Sequence, residues 1–148
     1  MKELTLIEPS NMLLSGTASK IETITPEIFD LARDMVVTMA TRRGVGLAAP
    51  QVGEMVRLIT VFVPGETPEP QVMINPEITN LNPKKEEMEE GCLSFPHLGV
   101  TVERSIGLTV SFTELSGEKK SLTVGGLTAR CIQHEIDHLN GVTIRNYL

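Results

Sequence analysis

Several large functional classes are excluded by what this sequence lacks. It has no excess of basic residues: 13 Lys and Arg against 19 Asp and Glu leave a formal charge of −6, with a pI near 5.1. Binding along nucleic-acid phosphates needs clustered positive charge, so no direct DNA or RNA contact is expected. Only two cysteines occur in 148 residues; they do not make a disulfide scaffold, and they fit a reducing, cytoplasmic setting where thiols stay free. The first residues, MKELTLIEPSNMLLSG, carry one Lys and are broken by Glu3, Glu8 and Pro9, so they read as neither the apolar core nor the flanks of a signal peptide. No window approaches a membrane span, and no membrane partner is expected. Internal repeats and low-complexity segments are also missing. What is left, 41% hydrophobic and 22% charged, is the make-up of one ordinary globular domain over residues 1–148.

Along the chain, Thr25-Pro26 reads as a cap followed by a first-turn proline, and Ile28, Leu31, Met35 and Met39 recur at helical spacing. A helix over about 26–41 is predicted, ending near Arg42-Arg43, with an irregular turn through Gly44-Val45-Gly46 running to Pro50. Val56–Val63 and Gln71–Ile74 read as short strands separated by the turn chemistry of Pro64-Gly65 and two further prolines. The charge run from Lys84 to Glu90 reads as solvated surface without function. Ile106, Leu108, Val110 and Phe112 alternate with small and polar residues, and Ser116-Gly117 returns the chain into Lys119–Val124, a hairpin. After Gly125-Gly126 the period becomes 3.6. Ile132, Ile136 and Leu139 then fall on one stripe, and Leu127, Cys131, His134 and His138 on another. Several strands with two long helices predict an α+β fold.

The second stripe carries the chemistry. His134-Glu135-Ile136-Asp137-His138 is an HExxH motif, in which two imidazoles one turn apart reach one metal ion while the Glu stands beside it as a base. A catalytic site of this kind needs a third protein ligand and leaves the fourth position open. The ten residues after His138 contain no Asp, Glu, His or Cys, so that ligand must come from upstream. The candidates are Cys92, Cys131, His97 and the acidic residues, and a thiolate is the better partner for a transition metal. Cys131 lies three residues before His134 on the same helix and reads as a small apolar wall residue. Cys92, between Glu90-Gly91 and Leu93-Ser94, comes from another element beside a glycine that permits close approach, and is preferred.

Three segments stand together: Gly44-Val45-Gly46-Leu47-Ala48-Ala49-Pro50-Gln51, Glu90-Gly91-Cys92-Leu93-Ser94, and Gln133-His134-Glu135-Ile136-Asp137-His138-Leu139. In that order and spacing the chain resembles the peptide deformylase family from about residue 5 to 144. The resemblance implies small antiparallel sheets packed around a central HExxH helix. It implies metal-dependent hydrolysis that releases formate from the N-terminal formyl-methionine of newly synthesised proteins, the attacking group being water activated by the metal. By the same likeness Cys92, His134 and His138 hold the metal and Glu135 is general base and acid. Gln51 and the Leu93 amide donate to the developing oxyanion. Val45, Gly46 and Gly91 pair with the substrate backbone, and Val45, Leu127 and Cys131 line the methionine pocket, although core packing explains these apolar residues equally well.

Ser94 and Asp137 are expected either to support ligands or to serve local capping and surface roles. His97 is read as a surface histidine, with substrate contact as the alternative. The implied cofactor is one divalent ion, Fe2+ foremost, with Zn2+, Ni2+ or Co2+ also accepted. The expected partners are nascent formyl-Met polypeptides, acting on a monomer in the bacterial cytosol, or the host cytosol if virus-encoded. Weak ribosome association is a further expected contact, but with the sequence stopping at Gly141–Leu148 no C-terminal extension is expected to mediate it. The rivals are a structural zinc protein with four protein ligands, and a hydrolase of the same mechanism acting on another acyl amide or on internal peptide bonds.

Overall fold

Thr25 and Pro26 start the first helix for local reasons. In the computed structural model, which describes residues 1–148, the Thr25 hydroxyl accepts from the Ile28 amide at 3.3 Å, and α1 runs Pro26–Thr41. Its inner face buries Ala32, Met35 and Met39 against Leu47, Leu58 and Ile74. The helix ends in a Schellman reversal: Arg43 N–H bonds to Ala40 O at 3.1 Å and Gly44 N–H to Met39 O at 2.9 Å. Arg43 takes the left-handed conformation there, with φ 56, at a position that favours glycine.

The reversal feeds a five-stranded antiparallel sheet. Its strands are β1 (Gly46–Ala48), β2 (Leu58–Val61), β3 (Gln71–Leu81), β6 (Gly107–Thr113) and β7 (Lys119–Gly125), ordered β1-β2-β3-β6-β7. A separate hairpin pairs β4 (Lys85–Cys92) with β5 (Phe95–Ser105). The second helix, α2 (Gly126–Leu139), follows β7 directly and packs against β1, β2, β6 and β7 of the large sheet and against β5 of the hairpin. Ile132 and Leu139 on α2 are fully buried beside Val61, Met73 and Val110, each such side chain stabilising the fold by roughly 1.5–3 kcal/mol. Gly125 offers α2 no side-chain cap. Glu66, from the loop after β2, supplies one instead, accepting from Leu127 N at 3.2 Å, Thr128 N at 2.8 Å and Thr128 Oγ1 at 2.7 Å.

The predicted 26–41 helix, the last helix and its hairpin are found where expected. Four readings need correction. Gly44–Pro50 is not wholly irregular, because Gly46–Ala48 is a strand whose three residues are all buried. The strand expected over Val56–Val63 is confined to Leu58–Val61. The strand that begins at Gln71 does not stop at Ile74 but continues to Leu81 through two register irregularities; a proline at position 76 and the shifts around it break the alternation that sequence reading depends on. Lys84–Glu90 is largely a strand rather than a featureless surface run. Its residues through Glu89 are exposed as expected, but Glu90 is 7% exposed, because its strand turns inward at the cleft described below.

Candidate metal centre and cleft

Two elements meet to form the site. α2 places His134 and His138 on one face, their ring centroids 5.1 Å apart. The end of β4 brings in Cys92, whose Sγ lies 3.4 Å from His138 Nε2. The candidate ligand atoms of Cys92, His134 and His138 all lie within 4.8 Å of one another. A tetrahedral ion with ordinary metal–sulfur and metal–nitrogen bonds separates such atoms by roughly 3.6 Å, so the donor set fits a transition-metal ion. No fourth His, Cys, Asp or Glu joins the group. Cys131, the alternative weighed from sequence, instead turns its thiol to Val45 O at 3.3 Å. His97 is exposed and outside the cleft wall, as expected for a surface histidine.

Of the candidate ligands, His134 is held by a buried ionic clamp that sequence reading missed. Glu90 Oε1 accepts from His134 Nδ1 at 3.0 Å, leaving Nε2 of that ring to face the metal position. Arg104 grips the same carboxylate with two bonds, at 2.7 and 2.9 Å, and Arg130 adds a third at 2.6 Å. Burial alone would raise the Glu90 carboxyl. The bonds from His134, Arg104 and Arg130 outweigh it and hold the group at about 2, ionised. One signal was available: Arg130 stands four residues before His134, hence on the same helical face. Asp137 meets Arg104 Nη1 at 2.9 Å, and Ser94 Oγ accepts from Gln51 Nε2 at 3.0 Å. Both therefore touch the network around the ligands rather than solvent alone.

Glu135 is 4% exposed, and its Oε1 has no hydrogen-bond partner. A buried unpaired carboxylate oxygen costs free energy, which points to a working group. Its burial pushes the carboxyl up to about 7, against the pull of His134 and Arg104. Burial also drives His138 down to about 3, keeping it neutral with a free lone pair. His134 behaves oppositely: burial would lower it, but Glu135, Cys92 and Glu90 crowd negative charge around the ring and raise it to about 10. Without a metal, this cradle attracts a positive charge. A divalent cation is the group that the donor set and the surrounding charge both fit.

The centre opens into a cleft of about 430 Å3. Cys92, His134, Glu135 and Gln51 stand at its base, and Val45, Gly46, Gly91, Leu93, Leu127 and Cys131 line its walls. His138 lies behind them, 1% exposed. One wall is β1, the edge of the large sheet. Phe62 N–H bonds to Val45 O at 2.8 Å, so by antiparallel alternation the backbone groups of the next residue, Gly46, face away from β2 toward the cleft. Gly46 must be glycine: a Cβ there would meet Cys131 Sγ at 2.5 Å and Glu135 Oε2 at 2.6 Å. The opposite wall is β4, where a register break between Glu90 and Cys92 releases Gly91 from its ladder, with no atom within 4 Å of a Cβ built on it. Gln51 is fixed by its Oε1, which accepts from Ala48 N at 2.9 Å, so its amide nitrogen points to Ser94 and Cys92. Leu93 begins the hairpin turn directly after Cys92. Val45 and Leu127 remain 46% and 47% exposed, leaving apolar surface for a ligand to cover.

The family model for polypeptide deformylases matches residues 4–148. A peptide deformylase of Synechococcus sp. (strain CC9311) is 45% identical over 131 residues, 87% of this chain and 65% of that protein, so this chain spans just under two thirds of that relative's length. A peptide deformylase of Chromohalobacter salexigens is 40% identical over 148 residues, covering all of this chain and 87% of the relative. Among solved structures, the peptide deformylase of Thermotoga maritima superposes with a TM-score of 0.93 at 36% identity, over 99% of this chain and 97% of that one. The Ehrlichia chaffeensis peptide deformylase, solved in complex with actinonin, gives 0.95 at 34% identity, over 100% of this chain and 90% of that one.

Proposed function

This chain belongs to the peptide deformylase family, and from that premise we propose that it hydrolyses the formyl amide of formyl-Met peptides, releasing formate and a free amino terminus. One observation carries the reading: the Cys92, His134 and His138 donor atoms converge beside a buried, unpaired Glu135 oxygen, at the base of a cleft bordered by an open strand edge.

Cys92, His134 and His138 would hold a divalent cation, which when bound would supply Lewis acidity toward the formyl carbonyl and toward water near neutral pH. Fe2+ is the proposed ion, with Zn2+, Ni2+ or Co2+ able to occupy the same thiolate and imidazole donors. The residues of the chain do the rest. Gln51 Nε2 and the Leu93 amide donate to the formyl oxygen as negative charge develops on it. Glu135 takes the proton of the attacking water and delivers it to the amide nitrogen as the C–N bond breaks. The hydroxyl oxygen stays on carbon, the peptide leaves with a neutral amine, and the formic acid so formed gives up its remaining proton to solvent as formate. Val45, Gly46 and Gly91 align the peptide backbone as an added strand, while Val45, Leu127 and Cys131 receive the methionine side chain.

The proposed substrates are nascent polypeptides, met in the cytosol by a monomer. No helix is long and apolar enough to cross a membrane. The test is an anaerobic assay of newly exposed amino termini on a formyl-Met tripeptide with iron or nickel supplied, beside acetylated and unmodified peptides, with formate measured in parallel for the first. Turnover confined to the formylated peptide is expected; equal turnover of all three refutes the assignment. Glu135→Gln should lose nearly all turnover and keep the metal, whereas Cys92→Ala should lose both. Retained activity in Glu135→Gln would overturn its role.

A further inference from the structure

The clamp on Glu90 has two unequal arms. Arg130 is independently fixed: besides Glu90 it donates to Val102 O at 2.9 Å and to Glu86 O at 2.7 Å. Arg104 has no backbone partner. Its only other acceptor is Asp137 Oδ2, at 2.9 Å, and that side chain is 25% exposed, free to turn to water unless something retains it. The retaining group is Tyr147. Its hydroxyl donates to the same Asp137 Oδ2 at 2.6 Å, and the Arg104 guanidinium lies over its ring, 5.2 Å from the centroid. An unbroken series of hydrogen bonds thus runs from Tyr147 through Asp137, Arg104 and Glu90 to Nδ1 of His134.

We infer that Tyr147 is a positioning residue for His134, setting how firmly that ring is presented to the metal through Asp137, Arg104 and Glu90. The inference rests on the reading of His134 as a metal ligand. The physical case is one of rotational freedom: an imidazole is held more firmly in one geometry when its other nitrogen is fixed, and for His134 that nitrogen is fixed as well as Glu90 is. Losing the Tyr147 hydroxyl removes one of the two bonds on Asp137 Oδ2 and leaves only that from Arg104, so Asp137 holds Arg104 less firmly and one side of the Glu90 clamp slackens. The short 3-10 helix Ile144–Tyr147 stays in place by other means. Ile144 is 1% exposed in a cluster with Leu14, Phe95, Val100 and Val102. Arg145 stacks 4.3 Å above the Phe95 ring and donates to Pro9 O at 3.0 Å.

The test is Tyr147→Phe, which keeps the ring and removes one oxygen. Both proteins are loaded with Co2+ alone, the visible spectrum is recorded, and the ion is stripped with a colorimetric chelator. Direct changes around a metal ligand cost ten- to a hundredfold in affinity, and Tyr147 stands several bonds further out. Cobalt release about three- to tenfold faster is therefore expected, with a shifted ligand-field band. On the formyl-Met tripeptide kcat should fall by a similar factor with KM unchanged. Release, spectrum and kcat all within twofold of the unsubstituted protein overturn the inference, as does a lowered Tm with those three unmoved, which marks a purely structural contact. Failure of the unsubstituted protein to bind Co2+ overturns the metal reading itself, and this inference with it.

Discussion

Gly46→Ala is the most direct probe of the cleft, because one methyl group there meets two buried functional atoms at once. Bringing the Glu135 Oε2 contact from 2.6 Å to the 3.4 Å of an ordinary contact requires 0.8 Å of retreat, and the 2.5 Å contact with Cys131 Sγ requires slightly more. Neither neighbour yields easily, since Cys131 is 6% and Glu135 4% exposed. Overpacking a filled interior costs about 1–3 kcal/mol, which corresponds to a Tm lower by roughly 3–10 °C for a domain of this size. Catalysis should suffer more than stability, because an error of about 1 Å in a reacting group costs on the order of a hundredfold. Thermal unfolding of the metal-loaded protein and formate release measure the two effects separately. Cys131→Ala placed in the same chain removes one clash and leaves the other, so it should restore part of the Tm and less of the turnover. A Gly46→Ala protein with unchanged Tm and turnover within twofold would refute the close approach on which this reasoning stands.

Two further substitutions test how the scaffold holds the site. Glu66→Ala removes the cap of α2 and should destabilise by about 1 kcal/mol. Its bonds to Thr128 lower the Glu66 pKa, so this contribution is present above the ordinary carboxylate range and disappears as pH falls through the lowered value; the Tm gap between the two proteins should close in acid, and a gap constant with pH would count against the cap. Arg43→Gly relieves a left-handed residue at φ 56 and should stabilise by about 1 kcal/mol, read as a rise in denaturation midpoint; a lower midpoint would mean that the Arg43 side chain contributes more than its backbone costs.

Much of this architecture is legible in the sequence because its signals are local. Thr25-Pro26 marks a helix start, the alternation from Ile106 to Phe112 marks a strand, and the i, i+4 pair His134 and His138 marks a metal face. Cys92 was also accessible as a candidate, since a transition metal prefers a soft third donor and the sequence offers one upstream; the structure brings its sulfur near both imidazoles. Glu90 was not. In a run of six charged residues among Lys84–Glu90 it looks like its neighbours, and only partners 14, 40 and 44 positions away, Arg104, Arg130 and His134, distinguish it. Arg104 was hidden likewise within an alternating strand, and Tyr147 gives no sign in sequence that it reaches Asp137. β3 was foreshortened for a different reason: bulges shift the inward-facing positions, so the period of two is lost although pairing persists. Buried ionic networks and irregular ladders are properties of the folded chain as a whole, and no window of ten residues contains them.

The Glu66 cap has a consequence for how metal loading and folding depend on each other. The HExxH helix begins on a carboxylate from some sixty positions earlier, and the sulfur proposed for the ion belongs to a separate hairpin. A peptide containing the helix alone would own two of the three donors and nothing to hold its first turn. Occupancy and global structure are consequently linked equilibria: an ion present at a hundred times its dissociation constant adds about 2.7 kcal/mol to the folded state, and whatever loosens the loop after β2 weakens the grip on the ion by mass action, even though that loop touches none of the coordinating atoms.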